Sequence, residues 1–74
     1  MWIKDKMGYL VNTERVTAID CVNEEIVFWK VRAWDASEIP CILWRSDTKS
    51  EAEGIIGKIW EALKEGENFL DLTN

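Results

Sequence analysis

Cysteine and histidine, the residues most often used for nucleophilic catalysis and zinc binding, are scarce in this 74-residue sequence. There are two cysteines, Cys21 and Cys41, and no histidine. A catalytic thiol needs a neighbouring base that favours the thiolate, but the residue beside Cys21 is Asp20, whose negative charge disfavours it. Two thiols without histidine also fall short of the four ligands of a structural zinc site. The sequence therefore predicts neither a catalytic cysteine nor a metal site.

Paired carboxylates are the other arrangement that could carry chemistry. Acid–base catalysis by such a pair needs one carboxyl group in an apolar pocket. Glu24 and Glu25 follow Asn23 in a predicted turn, while Glu51 and Glu53 lie in the first turn of a predicted helix, where negative charge is favoured. We expect all four to be solvated. No glycine-rich phosphate loop precedes the helix, so the sequence predicts a non-enzymatic protein without a cofactor.

Tryptophan is unusually frequent in this chain. The five residues of this type are Trp2, Trp29, Trp34, Trp44 and Trp60. Each indole can remove roughly 200 Å² from water, so several could reinforce the small core of a chain this short. Tryptophan is also enriched in binding hot spots. We predict that most are structural, and the sequence leaves open whether Trp2, Trp34 and Trp44 belong to a core or to an interface.

Charge and hydropathy narrow the class of protein. The net charge is −5, which repels nucleic-acid phosphates and anionic membranes, so we expect neither as a partner. Charges within residues 1–5 leave no apolar stretch for a signal peptide, and no apolar run approaches the ~18 residues of a membrane helix. We therefore expect a single cytoplasmic domain over residues 1–74, with both cysteines reduced and buried as small hydrophobes.

The first two-thirds of the chain has the pattern of β-strands. Residues 2–5 and 9–12 flank a short connection with Gly8 late in it, as in a hairpin. Residues 25–34 carry an unbroken series of apolar side chains at every second position, which indicates a strand, and Asn23-Glu24 predicts the turn before it. Residues 39–45 complete the pattern. We predict an α+β fold, with an antiparallel meander of four to five strands.

A helix follows, because apolar residues recur at offsets of three, four, seven, eight and eleven. This stripe consists of Ala52, Ile55, Ile56, Ile59, Trp60 and Leu63. Thr48 with Glu51, and Ser50 with Glu53, are two overlapping capping boxes, and Gly66 is placed to end the helix. We expect this one C-terminal helix to pack on the sheet. Residues 69–72 then form a short terminal strand or an extended tail.

Two positions in the helix carry specific expectations. Gly54 and Gly57 each cost roughly 0.5–1 kcal/mol against alanine, and we expect close approach of the helix to the sheet as the compensation. Trp60 lies on the apolar stripe, so we expect it in the core. Replacing it with alanine would then cost roughly 3–5 kcal/mol.

The order of these elements and some of their residues resemble a known class of proteins. Met-Trp-Ile-Lys at residues 1–4, Gly-Tyr-Leu-Val-Asn at residues 8–12 and Asp47-Thr48 before the helix are its recognisable parts. The pattern resembles a class of small uncharacterised proteins of Gram-positive bacteria and their prophages. It spans nearly the whole chain and contains no chemical motif. The resemblance implies a bacterial or phage origin, and it implies no activity for any residue.

The strand predicted at residues 25–34 has two different faces. One is wholly apolar and consists of Val27, Trp29, Val31 and Ala33. The other is mixed and consists of Ile26, Phe28, Lys30, Arg32 and Trp34. Since a single helix can cover one side of a sheet, we expect the mixed face to be an interface, with a homodimer as the leading possibility. Closure of the sheet into a small barrel would bury the same residues within one chain.

Two functions remain open from the sequence. The first is a small non-enzymatic interaction module that associates with itself or with another protein. The alternative is a small acidic phage or bacterial regulator or inhibitor. It would bind a protein target through the acidic C-terminal half, where Glu61, Glu65, Glu67 and Asp71 lie.

Overall fold

The structure is a computed structural model that describes residues 1–73. Its elements, in chain order, are β1 (Trp2–Lys4), β2 (Leu10–Asn12), a 3-10 turn (Thr13–Arg15), β3 (Ala18–Glu24), β4 (Phe28–Trp34), β5 (Cys41–Ser46), α1 (Lys49–Lys64) and β6 (Phe69–Asp71). The described residues form two three-stranded sheets and one α-helix. The fold is α+β, as predicted. In it, β2, β1 and β6 form one sheet, the terminal sheet, and β3, β4 and β5 form the other, the meander sheet.

The division into two sheets corrects the predicted meander of four to five strands. Only β3, β4 and β5 form an antiparallel meander. The predicted short terminal strand is present as β6, but it pairs in parallel with β1, with Ile3 opposite Leu70. The 3-10 turn over Thr13–Arg15 separates β2 from β3, so the chain leaves one sheet and enters the other there. Alternation along a strand is the same whichever strand lies beside it, so it could not reveal this division.

The hairpin at the start of the chain is confirmed, and its loop is held by Asp5. β1 and β2 are antiparallel, with Ile3 opposite Val11. The buried Asp5 carboxylate accepts hydrogen bonds from the backbone N–H groups of Met7 and Tyr9, both at 2.9 Å. Gly8 in this loop has a φ of 92°, a conformation that glycine adopts readily. The buried carboxylate is therefore a structural ligand of the loop backbone.

Helix α1 begins and ends at the predicted signals. The Thr48 hydroxyl accepts a hydrogen bond from the Glu51 backbone N–H at 3.2 Å, as an N-cap side chain does. Gly66 has a φ of 73° and follows the last turn of the helix, as a left-handed C-terminal residue does. Both ends are therefore determined by residues within a few positions of them.

The core lies between the helix, the inner face of the meander sheet and the terminal sheet. Its buried members are mainly aliphatic: Ile3, Val31, Ala33, Leu43, Ala52, Ile55, Ile59 and Leu72. Trp60 is 61% exposed and Leu63 is 45% exposed, so the prediction that Trp60 is a core residue is wrong. Successive helix residues are rotated by about 100°, which turns Trp60 away from the sheet when Ile59 faces it.

The tryptophans border the core and do not fill it. Trp29 and Trp44 are partly buried and pack against the core. Trp2 is 48% exposed on the terminal sheet, and Trp34 is partly buried on the other side of the meander sheet. Three of the five tryptophans, Trp29, Trp34 and Trp44, are therefore at least partly buried, and Trp2 and Trp60 are exposed. Smaller aliphatic residues fill the space between the layers.

Two further expectations are corrected. A Cβ atom built on Gly54 or Gly57 would meet no neighbouring atom within 4 Å, so close packing against the sheet is not why these glycines occur. Cys41 is exposed and Cys21 is partly buried, so the cysteines are not both buried. Their strands are separated by β4, as predicted, and both thiols are free. Along residues 1–73, no helix has the length and apolar character to cross a membrane.

Candidate interaction surface

The alternation of β4 places its side chains as the sequence predicts. Trp29, Val31 and Ala33 point to the core, and Val31 is completely buried. Four residues predicted for the interface share the opposite side of the meander sheet: Phe28, Lys30, Arg32 and Trp34. We call this side, which faces away from α1, the outer face. It also includes β3 and β5 residues that lie opposite these four in the register.

The fifth predicted interface residue, Ile26, lies elsewhere. β4 begins at Phe28, and β3 continues through Glu24, so the turn is formed by residues 25–27 and not by Asn23-Glu24. Asn23 instead pairs with Trp29 and donates a side-chain hydrogen bond to the Phe28 carbonyl at 3.1 Å. Ile26 is thus at the tip of the β3–β4 hairpin, beyond the end of the strand.

The backbone of this hairpin tip is strained. Glu25 and Ile26 have φ angles of 55° and 71°. Left-handed conformations are uncommon for residues other than glycine, and for a β-branched residue such as isoleucine they are rare. Ile26 is also 91% exposed, and the next residue, Val27, is 61% exposed. The tip therefore holds two aliphatic side chains in solvent, with no packing around them that would explain the strain.

A hydrogen-bonded cluster occupies the middle of the outer face. Arg32 donates from Nε to Asp20 Oδ1 at 2.8 Å and from Nη2 to Asp20 Oδ2 at 2.7 Å. The Trp34 indole N–H donates to the same Oδ2 at 3.3 Å, and the Arg32 guanidinium lies 4.8 Å from the centre of the Trp34 ring. The hydrogen bonds from Arg32 lower the pKa of Asp20, against a smaller opposing effect of burial. Trp34 is therefore fixed by polar contacts and is not a bare aromatic surface.

A second group of charges lies nearer the hairpin tip. The Glu24 carboxylate is 3.4 Å from Lys30 Nζ and 3.9 Å from Arg45 Nη2. Glu24 is thus partly buried and ion-paired, which corrects the expectation of a solvated turn residue. Together with Asp20, it makes β3 the acidic edge of the outer face, whereas β4 and β5 carry the basic residues. The outer face therefore has a charge gradient across its strands.

The acidic residues of this face are the part that sequence reasoning missed. Asp20, Val22 and Glu24 alternate at period two on β3, opposite Arg32, Lys30 and Phe28 respectively. A signal was present, because oppositely charged residues at matching spacing on consecutive strands favour cross-strand pairs. The misplaced turn shifted the end of β3 and concealed it.

Clusters of metal-ligating side chains are absent from the part of the chain that the structure describes. Among residues 1–73, no group of three or more histidine, cysteine, aspartate or glutamate side chains could hold a metal ion. Glu51 lies at the helix N-terminus and Glu53 is exposed along the helix, as expected for solvated carboxylates. The outer face and the hairpin tip together carry exposed aliphatic groups at one end and paired charges over the rest.

Comparison with known proteins identifies no relative. No family model matches the sequence, and neither a curated protein nor a solved structure is detectably similar to it.

Proposed function

We propose that this protein is a small non-enzymatic interaction module that associates with a second copy of itself through the hairpin tip and the outer face. The observation that carries the proposal is Ile26, which is 91% exposed in a left-handed backbone conformation. Backbone strain of this kind costs on the order of 1–3 kcal/mol and is concentrated at functional sites. If a partner buried the Ile26 side chain, the free energy gained by that burial would offset the cost of the strained backbone.

A two-fold axis parallel to the strands would make the outer face complementary to itself. Such an axis lays β3 of one copy over β5 of the other, so the acidic Asp20 and Glu24 approach the side that carries Arg45. It also keeps the two hairpin tips at the same end, where Ile26, Val27 and Phe28 of each copy can bury one another. One axis thus satisfies both the charges and the exposed aliphatic groups.

Sedimentation velocity over a range of concentrations tests this proposal. We expect a concentration-dependent dimer at micromolar protein, weakened by added salt because part of the contact is between charges. Ile26→Glu should shift the protein to monomer without loss of fold, since the side chain makes little contact within the chain. Ile39→Glu is the matched control, because Ile39 is 74% exposed and lies outside this surface.

A wild-type protein that stays monomeric at every concentration would contradict self-association. So would a dimer that Ile26→Glu and Ile39→Glu weaken equally. In either case the alternative, an acidic regulator of a protein target, becomes the better hypothesis. The regulator hypothesis is tested separately. The double variant Glu61→Gln/Glu65→Gln should abolish capture of a basic protein, whereas Ile26→Glu should not.

A further inference from the structure

A depression that borders the outer-face charges lies where the first hairpin meets β5. Its lining residues are Lys6, Met7, Ile42, Trp44 and Arg45, and its volume is about 370 Å³. This size is near the lower end of small-molecule pockets, which are typically about 300–1,000 Å³. Two of the lining residues are cations, three are apolar or aromatic, and none is acidic. The composition is that of a site for a ligand with an apolar body and a negative charge.

The position of Lys6 is fixed by contacts with β5. Its backbone N–H donates to the Leu43 carbonyl at 3.1 Å, and its Nζ donates to the Arg45 carbonyl at 3.1 Å. The same ammonium lies 4.6 Å from the centre of the Trp44 ring. An ammonium has three donors, so Lys6 retains capacity for an anionic acceptor while it stays at this place. The cation is therefore positioned before any ligand arrives.

Trp44 reaches the depression because of an irregularity in the sheet. The register between β4 and β5 shifts at Val31/Arg32, so Leu43 has no direct partner, and Trp44 pairs with Val31. The Trp44 Nε1 is buried and has no hydrogen-bond acceptor among residues 1–73. A buried donor without an acceptor costs about 1–3 kcal/mol. Trp44 therefore lines the depression as an aromatic wall, while its N–H group lies buried without an acceptor.

The second cation that lines the depression, Arg45, has a side chain that is largely exposed to solvent. The Arg45 side chain is 59% exposed, and its only ion pair among the described residues is the 3.9 Å contact with Glu24. Glu24 has a closer cation in Lys30, at 3.4 Å. If the Arg45 guanidinium turns toward a ligand, the Glu24 carboxylate keeps the contact of Oε1 with Lys30, and its buried Oε2, which has no hydrogen-bond partner among residues 1–73, loses the 3.9 Å contact with Arg45.

We infer that this depression binds a small organic acid, with a carboxylate between Lys6 and Arg45 and an apolar body against Met7, Ile42 and Trp44. The charges attract the carboxylate, and the apolar wall favours a hydrophobic group next to it. The inference does not require self-association, because every lining residue belongs to one chain, but the depression shares Ile42 and Arg45 with the outer face.

Phenylacetate and its neutral isostere phenylacetamide are suitable probes. They would be titrated into the wild-type protein while amide and indole N–H resonances are followed by NMR. We expect saturable shifts with phenylacetate at Lys6, Met7 and Arg45, and at the indole N–H of Trp44, which Trp44→Phe assigns. Phenylacetamide should bind at least about tenfold more weakly, since it lacks the charge.

Single variants test the roles of the two cations. Lys6→Gln and Arg45→Gln should each weaken phenylacetate binding by about fivefold to tenfold, in the range of an ordinary net hydrogen bond, because both cations are exposed to solvent. Arg45→Gln is the more robust variant, because the exposed side chain contributes little to the fold. Lys64→Gln removes an equivalent charge from the helix surface and should leave affinity unchanged, since Lys64 is ion-paired with Glu61 and does not line the depression.

Three results would overturn the inference. One is the absence of saturable shifts up to about 10 mM phenylacetate, which would place the Kd beyond specific binding. Another is equal binding of phenylacetate and phenylacetamide, which would show that the charges take no part. The third is an unchanged Kd in Arg45→Gln when its amide spectrum shows a native fold.

Discussion

Asp20 and Arg32 lie directly opposite each other on β3 and β4, and two parallel hydrogen bonds of 2.8 and 2.7 Å join their side chains. The pairing fixes the register of the two strands as well as the charges, because a one-residue shift of either strand would place the two side chains on opposite faces of the sheet. Trp34 donates to the same carboxylate, so one acidic residue orients two neighbours on β4.

Replacing that carboxylate should reduce stability in a pH-dependent way. Because the folded-state pKa of Asp20 is below its ordinary value of 3.8, its contribution is present above that value and is lost as pH falls through the folded-state pKa. Asp20→Asn should lower the free energy of unfolding by about 0.5–1 kcal/mol at neutral pH, as expected for a partly exposed pair. Urea unfolding of both proteins at decreasing pH measures this. A difference that stays constant into acid would show that the ion pair is not its source.

Replacing either helix glycine, Gly54 or Gly57, with alanine should increase the stability of the protein. Neither would place a new Cβ within 4 Å of another atom, and neither has a left-handed φ, so alanine fits both positions. Gly54→Ala and Gly57→Ala should each raise the free energy of unfolding by about 0.5–1 kcal/mol, because alanine is the better helix former. Thermal unfolding of the single and double variants measures the gain. Gly66→Ala is the contrasting control, since its φ of 73° should make alanine destabilising.

Truncation of two adjacent helix residues, Ile59 and Trp60, should reduce stability by very different amounts. Ile59 is 2% exposed, so Ile59→Ala should cost about 2–5 kcal/mol, enough to unfold much of a domain this small. Trp60 is 61% exposed, and Trp60→Ala should cost about 0.5 kcal/mol or less, as at ordinary surface positions. Denaturant unfolding distinguishes the two. A larger loss for Trp60→Ala would mean that the helix is rotated about its axis.

The hairpin tip should show a conflict between stability and binding. Ile26→Asn places a residue that tolerates the left-handed conformation at φ 71°, and it should raise the free energy of unfolding by about 1 kcal/mol. The same change removes the exposed aliphatic group, so any dimer should weaken. Ile39→Asn, at an exposed position without a positive φ, should leave both quantities unchanged. A destabilised Ile26→Asn protein would argue against strain at the tip.

The parts of the fold that the sequence could predict depend on neighbouring residues. Alternation in residues 25–34 placed Phe28, Lys30, Arg32 and Trp34 on one face, and Thr48 and Gly66 located the helix ends. Such signals act within one strand or one turn. The parallel pairing of β1 with β6 joins distant segments, and no local pattern records it. The position of Ile26 was missed for another reason, because its turn contains none of the glycine or asparagine residues that usually supply left-handed conformations.

The orientation of the helix and the presence of the depression could not be predicted from the sequence pattern either. Six apolar residues spread over a wide arc of the helix, and only contact with the sheets decides that the buried stripe centres on Ile55 and Ile59 and excludes Trp60. The depression depends on the register shift opposite Leu43, which brings Trp44 beside Lys6 of the first hairpin. Neither follows from spacing along the chain.

The cysteines should differ in reactivity and remain unlinked. They lie on β3 and β5 with β4 between, so two strand spacings of about 4.8 Å separate them, which exceeds the reach of a disulfide. Cys41 is exposed and Cys21 is partly buried. A maleimide should therefore label Cys41 first, as mass spectrometry of the digested protein would show. In Cys41→Ser, labelling should be slow, and fast labelling of Cys21 would contradict its position.

The pairing of β1 with β6 has a consequence for synthesis on the ribosome. The meander sheet can form from consecutive segments, but the terminal sheet joins the earliest strand to the last one, and such distant contacts are the slowest to form. Until residues 69–71 emerge, β1 has β2 on one side and an open edge on the other, with Ile3 without its β6 neighbour Leu70. An open edge of that kind can pair with other chains. Nascent chains arrested before residue 69 should therefore associate more readily than the released protein does.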